Sequence, residues 1–349
     1  MSSVKVLVID DSAFMRKFIS DLLEENHAIR VIGTARNGKE GIEKIAELQP
    51  DVVTLDIEMP VLNGLETLRV IMEQYPRPVI MLSSLTKEGA EQTIQSLAAG
   101  AFDFVPKPSG GISLDLYKVK EELIAKVLEA KRVNQKFLKA DREIPKPIKT
   151  EITNIKRQNL KNPIIAIGTS TGGPSSLQKI MPSFPKDLPS PIFIVQHMPP
   201  GFTKSLADRL NGISKIEVKE ADHQEMVRNG VAYIAPGGSH MKVVERNGTL
   251  MIELDHSERI GGHRPSVDVL FESLSELKNH QIIACLLTGM GSDGTKGLKL
   301  LKKMRKTVSI AQSERTCTIF GMPKSAIQAN VVDYVEDLLD IPALIQKLI

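Results

Sequence analysis

Tryptophan is absent from this 349-residue sequence, and aromatic residues of all kinds make up only 4% of it. A platform that stacks single-stranded nucleic-acid bases needs exposed rings, so that function class is disfavoured. Cysteine is nearly as scarce. Cys285 and Cys317 are the only two; they share no metal-ligand spacing and lie in apolar or strand-like runs, where small buried hydrophobes are the ordinary reading. Two cysteines build no disulfide framework, which fits a reducing compartment. The opening residues Met1-Ser2-Ser3-Val4-Lys5 run into a strand-like stretch and then Asp10-Asp11, a form no secretory signal takes. No uninterrupted apolar run is long enough to cross a bilayer. These absences predict a cytoplasmic protein without direct membrane insertion.

What is present is ordinary globular composition, 42% hydrophobic and 25% charged, in a chain long enough for two cores. The formal net charge is +3, unevenly spread. Residues 131–161 hold ten Lys/Arg and three Asp/Glu, leaving 35 basic against 39 acidic residues elsewhere. The basicity therefore belongs to a linker, not to a folded nucleic-acid surface.

Apolar runs alternate with helical patterns throughout. Strands are predicted at Val4–Ile9, Ile29–Ala35, Val52–Leu55, Val79–Leu82 and Phe102–Val105, with helices between them. A helix from about Leu116 to Leu138 leads into Ile144-Pro-Lys-Pro-Ile148 and a polar linker. A second alternation starts at Pro163, with strands at Ile164–Gly168, Ile192–Gln196, Ile282–Leu287 and Val308–Ala311. Asn247-Gly248 joins two apolar-patterned runs into a hairpin. The expected fold class is α/β, two doubly wound parallel-sheet domains in series. Such sheets carry their functional groups just past the carboxyl ends of the strands.

Three acidic residues fall at such ends, Asp10 and Asp11 after the first strand and Asp56 after the third. Crowded carboxylates need a cation, and hard oxygen ligands suit Mg²⁺. The fourth strand ends in Ser83-Ser84 and the fifth leads to Lys107, supplying a hydroxyl and an ammonium. Any one of these could simply cap a solvated rim; the full set in strand order argues for a site. Over residues 4–125 the chain resembles the response-regulator receiver family, through Val8-Ile9-Asp10-Asp11-Ser12, Leu55-Asp56-Ile57-Glu58-Met59-Pro60, Asn63-Gly64, Ser83 and Lys107-Pro108. The resemblance implies that Asp56 accepts a phosphoryl group from a histidine kinase. It also implies Mg²⁺ on Asp11 and Asp56, with Asp10 acting through water and Glu58 through its main-chain carbonyl. Ser83, Phe104 and Lys107 would read the phosphorylated state, Phe104 by packing alone.

Gly168-Thr169-Ser170-Thr171-Gly172 has the form G-x-S-x-G at a strand-to-helix turn, which exposes a serine oxygen beside main-chain N–H groups. By itself this reads equally well as a turn that binds a phosphate or nothing. Partners at other strand ends strengthen the catalytic reading. His197 follows Ile192–Gln196 and suits a general base; Asp293, in Gly289-Met290-Gly291-Ser292-Asp293-Gly294, could orient it. The seven histidines form no H-E-x-x-H pair, so a catalytic zinc is not expected. His240 could lie near the site, but the sequence assigns it no role.

Residues 163–349 resemble the CheB-type protein-glutamate methylesterase domain. The matching stretches are Ile167–Pro174, Gln196–Pro199, Tyr233–Gly238, His263–Asp268, Leu287–Gly294 and Phe320–Pro323. The resemblance implies a flavodoxin-like receiver at 1–125, a helix end and basic linker at 126–162, and a Rossmann-like catalytic domain with a β-hairpin insertion at 163–349. It implies Ser170 as nucleophile, His197 as base, Asp293 as orienting acid and main-chain N–H groups near Thr171 and Met290 as oxyanion donors. The substrates would be methyl esters, and glutamines, on the cytoplasmic domains of methyl-accepting chemotaxis receptors, with no cofactor for the esterase. The rival is a response regulator with a DNA-binding or non-catalytic output, although 163–349 lacks a compact basic recognition helix.

Overall fold

Polar residues immediately before the helical patterns set the helix starts of the first unit. Ser12, Asn37, Asn63 and Thr86 each accept a main-chain N–H from the first turn, and Asn63 forms a reciprocal capping box with Glu66. In the computed structural model, which describes residues 3–108, 113–132, 162–304 and 307–349, helices α1 (Ala13–Glu24), α2 (Gly38–Leu48), α3 (Gly64–Gln74), α4 (Lys87–Ala98) and α5 (Ser113–Ala130) follow the strands in turn. The strands are β1 (Val4–Ile9), β2 (Ile29–Ala35), β3 (Val52–Asp56), β4 (Val79–Ser83) and β5 (Asp103–Pro106). They form one parallel sheet in the order β2-β1-β3-β4-β5. The order reverses between β1 and β3, so their carboxyl ends flank the crevice where doubly wound sheets bind ligands. Leu7, Val8, Leu55, Ile80 and Met81 are fully buried, as residues of a parallel sheet covered on both faces must be.

The chain divides into two compact units, Met1–Ile148 and Lys149–Ile349. The second contains β6 (Pro163–Thr169), α6 (Gly173–Ile180), β7 (Ile192–Gln196), α7 (Phe202–Asn211), β8 (Glu217–Glu220) and β9 (Val231–Ile234). After the hairpin β10 (His240–Arg246) and β11 (Thr249–Asp255) come α8 (Val267–Ser275), β12 (Gln281–Leu286), α9 (Thr295–Met304) and β13 (Thr307–Gln312). The last elements are α10 (Met322–Gln328), β14 (Tyr334–Glu336) and α11 (Ile341–Leu348). Seven parallel strands run in the order β14-β13-β12-β6-β7-β9-β8. The chain crosses from one side of β6 to the other between β9 and β12, making the β12/β6/β7 ends the switch point. The two α/β sheets and the separate β10–β11 hairpin are the fold class expected from the sequence.

Several elements escaped the sequence pattern. Strands β8 and β14 occupy sheet edges, where a single neighbour and a half-solvated face leave only a weak apolar signal, Glu-Val-Lys-Glu and Tyr-Val-Glu. Helix α9 carries four lysines and an interior glycine, which obscured its apolar stripe. The helix anticipated from Leu116 to Leu138 is described to Ala130 and followed by a turn. Its remainder and the basic linker lie outside the described residues. No helix among the described residues is long and apolar enough to cross a membrane.

Candidate active site and phosphoacceptor site

In the first unit the crevice between β1 and β3 collects Asp10, Asp11 and Asp56, with carboxylate oxygens within 4.8 Å of one another. Among the described residues this is the one cluster of His, Cys, Asp or Glu with metal-holding geometry. Asp10 and Asp56 are buried. The Lys107 ammonium lies 2.9 Å from Asp10 Oδ2 and 2.7 Å from Asp56 Oδ2, bridging the two. Burial pushes the Asp56 carboxyl up to about 6 against the pull of Lys107, and Asp10 adds to the rise. Three crowded acids and one ammonium leave the cluster short of positive charge, which fits a divalent cation held by oxygen.

Ser83 is fully buried. Its hydroxyl donates to the carbonyls of Ser84 and Gly89 and accepts from Thr93 Oγ1, so it is turned into the start of α4. Phe104 is buried beneath Lys126, whose ammonium sits 5.3 Å from the ring centre and donates to the Phe104 carbonyl. Glu58 is exposed; its main-chain N–H donates to Asp56 Oδ1 and its carboxylate accepts from Ser84 Oγ.

The folded pKa of Asp56 lies above its ordinary 3.8. The protonated form therefore contributes stability that is full below about pH 4 and lost as pH rises through about 6. Without divalent cations, the thermal transition of this unit should fall between about pH 4 and pH 6.5, and Asp56→Asn should flatten that fall. An equal fall in both proteins, followed by scanning calorimetry, would place its origin elsewhere.

In the second unit Ser170 follows β6, His197 follows β7 and Asp293 lies in the loop after β12, three adjacent strands at the switch point. The turn after β6 is sharp because Gly172 adopts φ +77°, and a Cβ there would meet Thr318 at 2.4–2.5 Å. His197 Nε2 is 2.8 Å from Asp293 Oδ2. Asp293 also accepts from Ser266 Oγ at 2.8 Å, Val267 N at 2.7 Å and Asp268 N at 3.0 Å. Its carboxylate thus caps the N-terminus of α8, where main-chain donors and the helix dipole favour an anion. Burial alone would raise its pKa; the His197 ring and the α8 N–H groups overcome that and hold it at about 2. An ionised carboxylate only accepts, so Nε2 of His197 is the donor and Nδ1 the basic nitrogen. Nδ1 is buried and has no hydrogen-bond partner among the described residues. The His197 ring is stacked on His263, centroids 3.8 Å apart.

Two residues that the sequence reading left without roles fasten this arrangement. Gln196 Nε2 donates to the carbonyls of both Ser170 and His197, at 3.0 and 3.1 Å, fixing the spacing between the two strand ends. The Thr288 carbonyl accepts from Ser170 N and Thr169 Oγ1, and its hydroxyl donates to the Thr171 carbonyl. Ser170 N–H is therefore engaged and is not a candidate oxyanion donor in this conformation. Thr171 is the next residue, and Met290 follows Gly289, where a Cβ would lie 2.7 Å from Ser170 Cβ and 2.5 Å from Met322 Sδ. Gly289→Ala should consequently displace Ser170 and cost about 10²-fold in turnover. Unchanged turnover in a folded variant would show that the close approach is unimportant.

Comparison with known proteins identifies both units. The CheB methylesterase family matches residues 165–345, and the response regulator receiver domain matches 6–115. A protein-glutamate methylesterase/protein-glutamine glutaminase of Geobacillus kaustophilus is 54% identical over 349 residues, covering 100% of this chain and 99% of the relative. The chain belongs to this methylesterase family. Its Bacillus subtilis relative of the same name is 49% identical over 348 residues, with 98% and 97% coverage. The crystal structure of the Thermotoga maritima CheB methylesterase catalytic domain is 46% identical, covers 53% of this chain and 98% of its own, and superposes with a TM-score of 0.52. Receiver and methylesterase thus occur in one chain, and the rival DNA-binding or silent output finds no support.

Proposed function

We infer that this chain is a phosphorylation-controlled response regulator that hydrolyses glutamyl methyl esters on methyl-accepting chemotaxis receptors and deamidates receptor glutamines. The observation that carries the reading is the ionised Asp293 on His197 at the strand ends beside Ser170. Ser170 Oγ attacks the ester carbonyl while His197 Nδ1 takes its proton. Asp293 stabilises the imidazolium that forms. Main-chain N–H groups of Thr171 and Met290 receive the developing oxyanion. His197 returns the proton to the leaving methoxide, methanol departs, and water resolves the acyl-enzyme by the same route. A glutamine side chain follows the same path with ammonia as leaving group. The esterase set uses no cofactor in this scheme.

Asp56 accepts the phosphoryl group from the histidine kinase of the chemotaxis pathway. Asp11 and Asp56 would hold Mg²⁺, with Asp10 acting through water and Glu58 through its carbonyl; bound there, it would supply positive charge to offset the carboxylates and phosphoryl oxygens. Lys107 moves from its carboxylate bridge toward a phosphoryl oxygen, Ser83 turns from α4 to a second, and Phe104 repacks. These changes shift a pre-existing equilibrium of the receiver. The work is done in the cytoplasm, on the cytoplasmic domains of the receptors. Receptors carrying methylated glutamates and unprocessed glutamines supply the test. The purified chain should release methanol from the first and ammonia from the second; release of neither would remove the catalytic reading.

A further inference from the structure

His240 opens β10 and is fully buried. Its Nδ1 accepts the main-chain N–H of Ser266 at 3.2 Å, and its Nε2 faces the Glu258 carbonyl at 3.0 Å. A nitrogen that accepts carries no proton, and a carbonyl only accepts. The ring is therefore neutral, with its hydrogen on Nε2. Ser266 is the residue before α8, yet its hydroxyl makes no capping bond to the helix; it donates to Asp293 Oδ1 instead. The helix start is held by Asp293 on one side and by His240 on the other, through the same residue. A second tie, from Val243 N to Ser273 Oγ at 3.0 Å, fixes β10 against α8 farther along.

We propose that His240 is a positioning residue of the esterase. Its neutral imidazole anchors Ser266 between the Glu258 carbonyl and Asp293, and so sets the orientation in which Asp293 meets His197. His240 touches no reacting atom; it acts through Ser266 and Asp293. The inference rests on Asp293 serving the hydrolase as proposed above. Misplacing a reacting group by about 1 Å can cost about 10²-fold. Asparagine places an amide oxygen near the position of Nδ1 and keeps the acceptor for Ser266, whereas alanine keeps neither tie.

The experiment measures methanol release from methylated receptor by the full chain, with circular dichroism as the control for folding. His240→Ala should lower kcat by about 10- to 100-fold with KM changed less than about twofold, and His240→Asn should recover most of the loss. In an Asp293→Asn background His240→Ala should add less than about a twofold loss, since coupled residues fail to add. A folded His240→Ala enzyme with parental kcat would overturn the proposal. So would an equal loss in both backgrounds, or a folded His240→Asn enzyme as slow as His240→Ala. Full activity of Asp293→Asn alone would refute the site assignment as well as the relay. Loss on Asp293→Asn with none on His240→Ala would refute the relay alone.

Discussion

Ser170→Ala should reduce methanol release by on the order of 10⁴-fold or more while leaving phosphotransfer to Asp56 intact. Ser170 sits between the strand ends that carry its partners, with its carbonyl held by Gln196 and its N–H held by Thr288. Removing one hydroxyl leaves that frame in place, so the loss reports chemistry, not folding. His197→Ala should be about as severe, because a nucleophile and its base act as a unit. Asp293→Asn should cost less. Its side chain can still meet Ser266, but it no longer presents an anion to the imidazolium. Near-parental hydrolysis by Ser170→Ala would assign the chemistry to another residue.

Chelation of divalent cations should abolish phosphotransfer to Asp56 and leave basal ester hydrolysis unchanged. The two units differ in what they ask of a cation. Asp10, Asp11 and Asp56 converge with oxygens within 4.8 Å, and among the described residues Lys107 alone bridges the buried pair. A phosphoryl group entering there adds further negative charge in a site where burial already raises the Asp56 pKa to about 6. The esterase carboxylate, by contrast, is satisfied by three donors of the α8 start and by His197. Basal hydrolysis lost on chelation and restored specifically by zinc would contradict this separation. The measurement is parallel assay of phosphorylated protein and released methanol, with and without chelator.

The strands that position both sites were legible because parallel strands buried on two faces read as continuous apolar runs. Val4–Ile9 and Ile192–Gln196 end just where acids or a histidine begin. Polar residues at such ends stand out against the run, which is why Asp10, Asp56 and His197 could be singled out. Asp293 was legible for the same reason, through the buried strand before its glycine-rich loop. Residues that act by fastening main chain carry no such contrast. Gln196, Thr288 and His240 recognise carbonyls and N–H groups of segments distant in sequence, and no periodicity announces that. The direction of the Ser83 hydroxyl is likewise set by Gly89 and Thr93, not by its place in the strand. Which nitrogen of His197 can accept a proton follows only from the ionised Asp293 on Nε2.

The central claim, that phosphorylation of Asp56 governs hydrolysis at Ser170, is tested most directly by the rate of methanol release from methylated receptors. The parent chain and Asp56→Asn are compared with Mg²⁺ present, each with and without a small-molecule phosphodonor. The rate should rise with phosphodonor in the parent and stay basal and unresponsive in Asp56→Asn. Equal rates with and without phosphodonor, in parent protein shown to be phosphorylated on Asp56, would contradict the claim.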